Sequence, residues 1–61
     1  MSTYNLLLTT INSKNKQLDA GKITQAEYDL WKEDTLKKMD TFLVRGRITE
    51  DQYNALSDML R

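Results

Sequence analysis

The best candidates for acid–base catalysis in this 61-residue sequence are two pairs of adjacent carboxylates, Glu33 with Asp34 and Glu50 with Asp51. General acid–base catalysis by two carboxyl groups needs both of them directed at one substrate. Neighbouring side chains on a helix diverge by about 100°, so the members of each pair would point in different directions. We expect both pairs to lie on solvated helical faces.

The other candidate nucleophiles and metal ligands are equally unsupported. The hydroxyls of Ser2, Ser13 and Ser57 lack the usual activating base because the sequence contains no His, and the absence of Cys removes thiolate nucleophiles and thiolate metal sites. No calcium-loop motif occurs, and neither glycine belongs to a phosphate-binding loop. The sequence therefore predicts no catalytic residue, no metal site, no cofactor and no small-molecule substrate. We expect that the protein is not an enzyme.

Charge and hydropathy narrow the range of partners. Nine basic and nine acidic residues give a formal net charge of zero, which gives no reason to expect binding to nucleic acid or to an anionic membrane. The apolar run Leu6-Leu7-Leu8 is far too short to span a bilayer, and no basic residue precedes it as a signal peptide would require. We expect no membrane association, and the absence of cysteine fits a cytoplasmic location.

A segment that occurs twice organises the elements of the chain. Residues 21–28 read Gly-Lys-Ile-Thr-Gln-Ala-Glu-Tyr, and residues 46–53 read Gly-Arg-Ile-Thr-Glu-Asp-Gln-Tyr, at an offset of 25 residues. Glycine reaches the left-handed conformation that ends a helix, and threonine caps the start of the next one. Glu or Gln three positions after the threonine completes a capping box, and the Ile and Tyr have the spacing of a hydrophobic staple. The predicted turn and cap residues are Gly21, Ile23, Thr24, Glu27 and Tyr28 in the first copy and Gly46, Ile48, Thr49, Gln52 and Tyr53 in the second.

Apolar residues recur at helical spacing on both sides of these turns. We predict helices at about residues 3–19, 25–44 and 50–60, and the middle helix is unbroken because it contains neither Pro nor Gly. The predicted fold is all-α, a small three-helix bundle in a single helical domain, residues 1–61. Its predicted core contains Leu7, Ile11, Leu18, Ile23, Tyr28, Trp31, Met39, Phe42, Ile48, Tyr53, Leu56 and Leu60.

The first and last helices carry opposite charge. Both should run antiparallel to the middle helix, so they could lie side by side on it, or a first helix could meet the last helix of a second molecule. Two ordinary solvated faces are the alternative, since exposed ion pairs contribute little to stability. The charges concerned are Lys14, Lys16 and Lys22 against Asp19 in the first part, and Glu50, Asp51 and Asp58 against Arg61 in the last.

The repeated segment resembles a known family. Residues 18–28 look like the short C-terminal domain called SHOCT, whose pattern is a helix end, Gly, an aliphatic residue and Thr, then an acidic start to a second helix with an aromatic in its first turn. Residues 43–56 are similar to the same pattern a second time. The resemblance implies a helical, non-catalytic module that serves oligomerisation or attachment in bacterial and phage proteins. Small free-standing proteins with such turns also resemble bacteriophage accessory proteins.

Protein contact is the function that these observations favour. Several apolar side chains lie off the main helical stripes, and Trp31 stands at the edge of one, where it could anchor an interface. An adaptor or inhibitor would offer this helical face to a bacterial or phage protein, whereas a structural protein would use it to self-associate. The candidate interface residues are Leu6, Leu30, Trp31, Val44 and Met59.

DNA binding is the remaining alternative, because a DNA-reading helix-turn-helix also has a glycine-containing turn between two helices. Phosphates would repel the acidic first turns of both second helices. The local basic cluster is better explained as charge that complements the carbonyl ends of the middle helix. The acidic residues are Glu27, Asp29, Glu50 and Asp51, and the basic ones are Lys37, Lys38, Arg45 and Arg47.

Overall fold

A computed structural model describes residues 2–61 of the chain. Within this range the protein is all-α and forms three helices and no strand. Helix α1 spans Thr3–Asp19, α2 spans Gln25–Val44 and α3 spans Glu50–Met59. Each helix packs against the other two, so the three form a bundle. The fold class predicted from the sequence is confirmed.

Both turns end the preceding helix in the same way. Gly21 and Gly46 have φ angles of 71° and 72°, a conformation that side chains with a Cβ rarely adopt. The amide of the residue after each glycine donates back to a carbonyl five residues earlier, at 2.9 Å from Lys22 to Gln17 and at 2.8 Å from Arg47 to Phe42. These bonds satisfy carbonyls that the helix end leaves without partners.

Both predicted capping boxes are present. The Thr24 side chain accepts from the amide of Glu27 at 3.1 Å, and the Glu27 carboxylate accepts from the amide of Thr24 at 2.9 Å. Thr49 and Gln52 make the same two bonds at 3.1 and 3.0 Å. Helix α1 starts more simply, with the Ser2 hydroxyl accepting from a backbone amide. Each helix start is therefore determined by its local sequence.

The apolar core is smaller than the sequence predicted. Ile48 lies in the buried cluster and Tyr53 packs against it, as a hydrophobic staple requires. The buried apolar residues are Leu7, Ile11, Tyr28, Met39, Ile48 and Leu56, with Thr35 buried beside them. Six predicted core residues are only half-buried: Leu18, Ile23, Trp31, Phe42, Tyr53 and Leu60. Three short helices leave part of each apolar stripe outside the shared centre, which accounts for the difference.

The last helix ends one residue earlier than the predicted position 60. Leu60 is extended, with ψ of 140°, and it caps α3 after Met59. This change of direction allows the backbone of Arg61 to reach Tyr28 on α2. The contact with α2, a tertiary effect, therefore accompanies the end of α3.

Candidate protein-contact surfaces

The 25-residue repeat extends to a pair of hydrogen bonds between helices. The Tyr28 hydroxyl donates to Oδ1 of Asn15 at 2.5 Å, and the Tyr53 hydroxyl donates to Oδ1 of Asp40 at 2.7 Å. Each bond joins residues 13 positions apart, across one of the two turns. We call the part of the chain around Asn15 and Tyr28 the first unit and the part around Asp40 and Tyr53 the second unit.

The end of α3 covers the hydrogen bond of the first unit. The side-chain amide of Asn15 donates to the carbonyl of Met59 at 3.0 Å, and the amide of Arg61 donates to the Tyr28 hydroxyl at 3.2 Å. The amine of Lys32 donates to the Arg61 carbonyl at 3.1 Å. Tyr28 is fully buried as a result. The first unit is therefore closed by the third helix.

The corresponding hydrogen bond of the second unit is open to solvent. Asp40 is exposed and Tyr53 is half-buried. The hydrogen bond to the Asp40 carboxylate, with smaller contributions from desolvation and from the carboxylate charge, raises the pKa of the Tyr53 phenol above its ordinary value. Asp40 differs from Asn15 in one important respect, since a carboxylate accepts hydrogen bonds but has no N–H to donate. A group placed over the second unit must therefore offer donors.

At one set of positions that the repeat makes equivalent, burial increases from the first helix to the third. Leu6, Trp31 and Leu56 are related by the 25-residue offset. Leu6 is 57% exposed, Trp31 is half-buried and Leu56 is fully buried. Burial rises with the number of helices that precede the position, from none to one to two. These three side chains therefore face back toward earlier helices.

A second set of equivalent positions shows the opposite trend. Ile11 is fully buried, Leu36 is half-buried and Arg61 is exposed. Burial here falls as fewer helices follow the position. Arg61 lies beyond α3 and pairs with Asp19, so the apolar part of this trend runs from Ile11 to Leu36. The two turn isoleucines follow the first trend, because Ile23 is half-buried and Ile48 is buried.

These trends define two open surfaces. We call the side of the molecule that carries Leu6 the leading face, because no helix precedes it. We call the side that carries Leu36, Asp40 and Tyr53 the trailing face, because no helix follows it. In repeat proteins each unit packs on its neighbours, so the outer faces of the two end units have no neighbour within the chain to cover them.

The structure places the predicted interface residues in two different environments. Leu6, Leu30 and Val44 are exposed by 57%, 70% and 87%, respectively. Trp31 and Met59 are half-buried and pack against the core. The Trp31 ring lies 5.3 Å from that of Tyr28, with the planes tilted by 58°, and the Lys14 amine lies 5.9 Å from the Trp31 ring. The sequence did not single out the trailing face, although the repeat pairs Asn15 with Asp40.

The candidate catalytic groups do not converge in the described part of the chain. Glu33, Asp34, Glu50 and Asp51 are all exposed. Ser13 and Lys16 have the Ser-x-x-Lys spacing of some acyl-transfer enzymes, but both are exposed on α1. Over residues 2–61 the surface forms no pocket, and no three acidic side chains are grouped to hold a metal ion.

None of the three helices in residues 2–61 combines the length and the apolar character needed to cross a bilayer. Longest of them is α2, with 20 residues, and it carries charged side chains along its length.

The opposite charges of α1 and α3 do not pair in the expected sense. The ion pair between these two parts of the chain joins Asp19 to Arg61, which are the minority charges on either side. In residues 2–61 the other ion pair, Asp34 with Lys38 at 3.7 Å, lies within α2. Lys14 lies by the Trp31 ring instead, whereas Lys16 and the carboxylates of α3 are exposed.

Comparisons with protein-family models, with curated proteins and with solved structures find no match for this chain.

Proposed function

We propose that this chain is a cytoplasmic, non-enzymatic helical module that works by protein–protein contact. The supporting observation is the burial gradient from Leu6 through Trp31 to Leu56. The same repeat position is exposed at Leu6 and fully buried at Leu56. Leu6 therefore lacks the contacts that its equivalent makes within the chain. A protein partner at the leading face would bury Leu6 as α1 and α2 bury Leu56.

The resemblance to SHOCT domains supports the same proposal. It implies a bacterial or phage setting, in which the module acts as an adaptor or inhibitor of another protein. Val44, exposed by 87% at the end of α2, adds apolar surface near the second turn. Self-association is the second candidate, and the presence of both a leading and a trailing face on one molecule favours it.

The cap chemistry argues against nucleic acid. Hydrogen bonds from the backbone and side chain of Thr24 lower the pKa of the Glu27 carboxyl, so Glu27 is ionised at neutral pH. A helix-turn-helix protein brings this first turn close to phosphates. A carboxylate in that place would repel them.

Photo-cross-linking inside the cell tests the proposal. A benzophenone amino acid replaces Leu6 in one variant and Lys37 in a control, because Lys37 is exposed on the outer side of α2. Covalent protein adducts at position 6 and few at position 37 are the expected result. Equal labelling at both positions, or no adduct at position 6, would contradict the proposed function.

A further inference from the structure

Resting on the proposed function, we propose that the partner is a second copy of this chain and that the copies associate head to tail. The leading face of one molecule, with Leu6 on α1, packs on the trailing face of the next, with Leu36, Asp40 and Tyr53. Each face supplies the helix that the other lacks. The interface is heterologous, so association continues beyond a dimer.

The repeat gives the register of this contact. Leu56 lies in the buried cluster with Ile11, which is the position equivalent to Leu36. If this contact is shifted by one repeat of 25 residues, Leu36 takes the place of Ile11. Leu6 of the second copy then takes the place of Leu56 and packs against Leu36. Leu6 and Leu36 are each equivalent to an apolar side chain that is fully buried within the chain, Leu56 and Ile11 respectively. The stacking therefore repeats a contact that this sequence already makes.

Charge complementarity identifies α1 as the helix that fits. Asp29, Glu33, Leu36 and Asp40 follow one another on α2 at the spacing of a single helical face, and the three acidic residues are exposed. Helix α1 carries Lys14 and Lys16 and has no acidic residue before Asp19. In this register α1 of the second copy runs parallel to α2, as α3 runs parallel to α1, so its lysines lie beyond Asp40 and its first turn lies beside Asp29 and Glu33. That first turn carries no acidic residue, and the positive end of the helix dipole there favours the two carboxylates.

Hydrogen bonding at the second unit supports the same occupant. In the first unit the amide of Asn15 donates to the Met59 carbonyl. Asp40 at the equivalent position can only accept, so the covering helix must donate at that place. The offset puts Thr9 of the second copy where Met59 lies in the first unit. The exposed hydroxyl of Thr9 is such a donor.

Light scattering and sedimentation over a wide concentration range test the association. We expect the mean mass of the wild type to pass that of a dimer as concentration rises, and to fall when salt is added. Leu6→Lys should weaken association by about tenfold or more, because a charge would have to be buried. Leu30→Lys is the matched control, since positions 5, 30 and 55 are exposed in all three helices, and it should leave association within about twofold.

Mixing two variants tests the polarity of the contact. Leu6→Lys damages only the leading face and Asp40→Lys only the trailing face, so each alone should stay monomeric. An equimolar mixture should form a one-to-one complex through the two intact faces. Asp34→Lys is the charge-matched control for Asp40→Lys and should associate like the wild type. Circular dichroism checks that every variant is folded.

Three results would overturn the head-to-tail contact. The wild type could remain monomeric at every concentration, Leu6→Lys and Leu30→Lys could act equally, or the mixture could form no complex. If the wild type is monomeric while position 6 cross-links to a different protein in the cell, the second copy is the wrong occupant and the proposed function stands. If position 6 gives no adduct either, the proposed function fails as well.

Discussion

The hydroxyl of Tyr28 donates to the amide oxygen of Asn15 across 2.5 Å and accepts from the amide of Arg61 across 3.2 Å. One phenolic oxygen thus joins α1, the first turn of α2 and Arg61, the second residue after α3. The equivalent oxygen on Tyr53 bonds Asp40. This asymmetry between two equivalent tyrosines leads to the first prediction.

Tyr28→Phe should lower the free energy of unfolding by about 1–2 kcal/mol, because it leaves the amide oxygen of Asn15 and the Arg61 amide without their buried partner. Tyr53→Phe is the control and should cost about 0.5 kcal/mol, since water replaces its partly exposed bond. Urea unfolding followed by circular dichroism measures both. Equal losses would mean that the end of α3 does not close the first unit.

Removing either threonine cap should destabilise the protein by similar amounts. Thr24→Ala and Thr49→Ala each remove the side-chain acceptor of one capping box and should cost about 1 kcal/mol. Thr24→Ser and Thr49→Ser keep the hydroxyl and serve as controls. Thermal unfolding at several protein concentrations separates this loss from any effect on association. A serine variant as unstable as the alanine variant would show that the methyl group, not the hydroxyl, matters.

Alanine at either glycine should cost roughly 1 kcal/mol for conformational reasons alone. A Cβ built at Gly21 or Gly46 meets nothing within 4 Å, so no steric clash adds to the strain of the positive φ. The two losses in urea unfolding should therefore agree. Gly21→Asn and Gly46→Asn should lose less than the alanine variants, because asparagine tolerates the left-handed conformation better. A much larger loss at one site would reveal a clash.

Acid should weaken the first capping box. The bonds from Thr24 hold the pKa of the Glu27 carboxyl below its ordinary value of 4.5. A carboxyl whose pKa is lowered in the folded state stabilises that state above pH 4.5, and the stabilisation is lost as the pH falls below 4.5 through the lowered pKa. Glu27→Gln keeps the box, as Gln52 does in the second copy, and does not titrate. The stability difference between wild type and variant should shrink in this acid range, and a constant difference would contradict the assignment.

Base should act on the second unit. Asp40 raises the pKa of Tyr53 above 10.0, so the protonated phenol stabilises the folded state below pH 10. That contribution is lost as the pH rises through the raised pKa. Asp40→Asn reproduces the first unit and should bring the pKa of Tyr53 down. Titration of tyrosinate absorbance in a background that carries both Tyr4→Phe and Tyr28→Phe isolates Tyr53, the remaining tyrosine of the three. Asp40→Ala removes the acceptor altogether, and an unchanged pKa of Tyr53 in that variant would exclude the hydrogen bond as the cause.

Local sequence determines the helix starts and the ends of α1 and α2, which is why these boundaries could be predicted. The glycines, threonines and their bonding partners all act within a few residues of one another, and both capping boxes are present. The end of α3 was misplaced by one residue because Leu60 turns away as Arg61 reaches Tyr28, 33 residues earlier in the chain. A contact of that range leaves no local signal.

Burial could be predicted only in part, because periodicity identifies a stripe but not how much of it the neighbours cover. Trp31 and Phe42 lie on the apolar stripe of α2 and yet are half-buried. The repeat contained the missing information for Asn15. Its counterpart Asp40 stands at the same offset from a tyrosine, and a polar residue at that place in both units indicates a hydrogen bond rather than a gap in the stripe.

The bond from Asn15 to Met59 spans 44 residues, whereas each capping box closes over three. We therefore expect the two helical hairpins to form first and the clasp, the contacts of residues 59–61 with Asn15 and Tyr28, to close last, because closing a long loop costs more chain entropy. Opening reverses that order. When residues 59–61 are transiently released, the Tyr28–Asn15 bond becomes open to solvent, as the Tyr53–Asp40 bond already is. Hydrogen exchange at residues 59–61 therefore measures how often both bonds are open in one molecule.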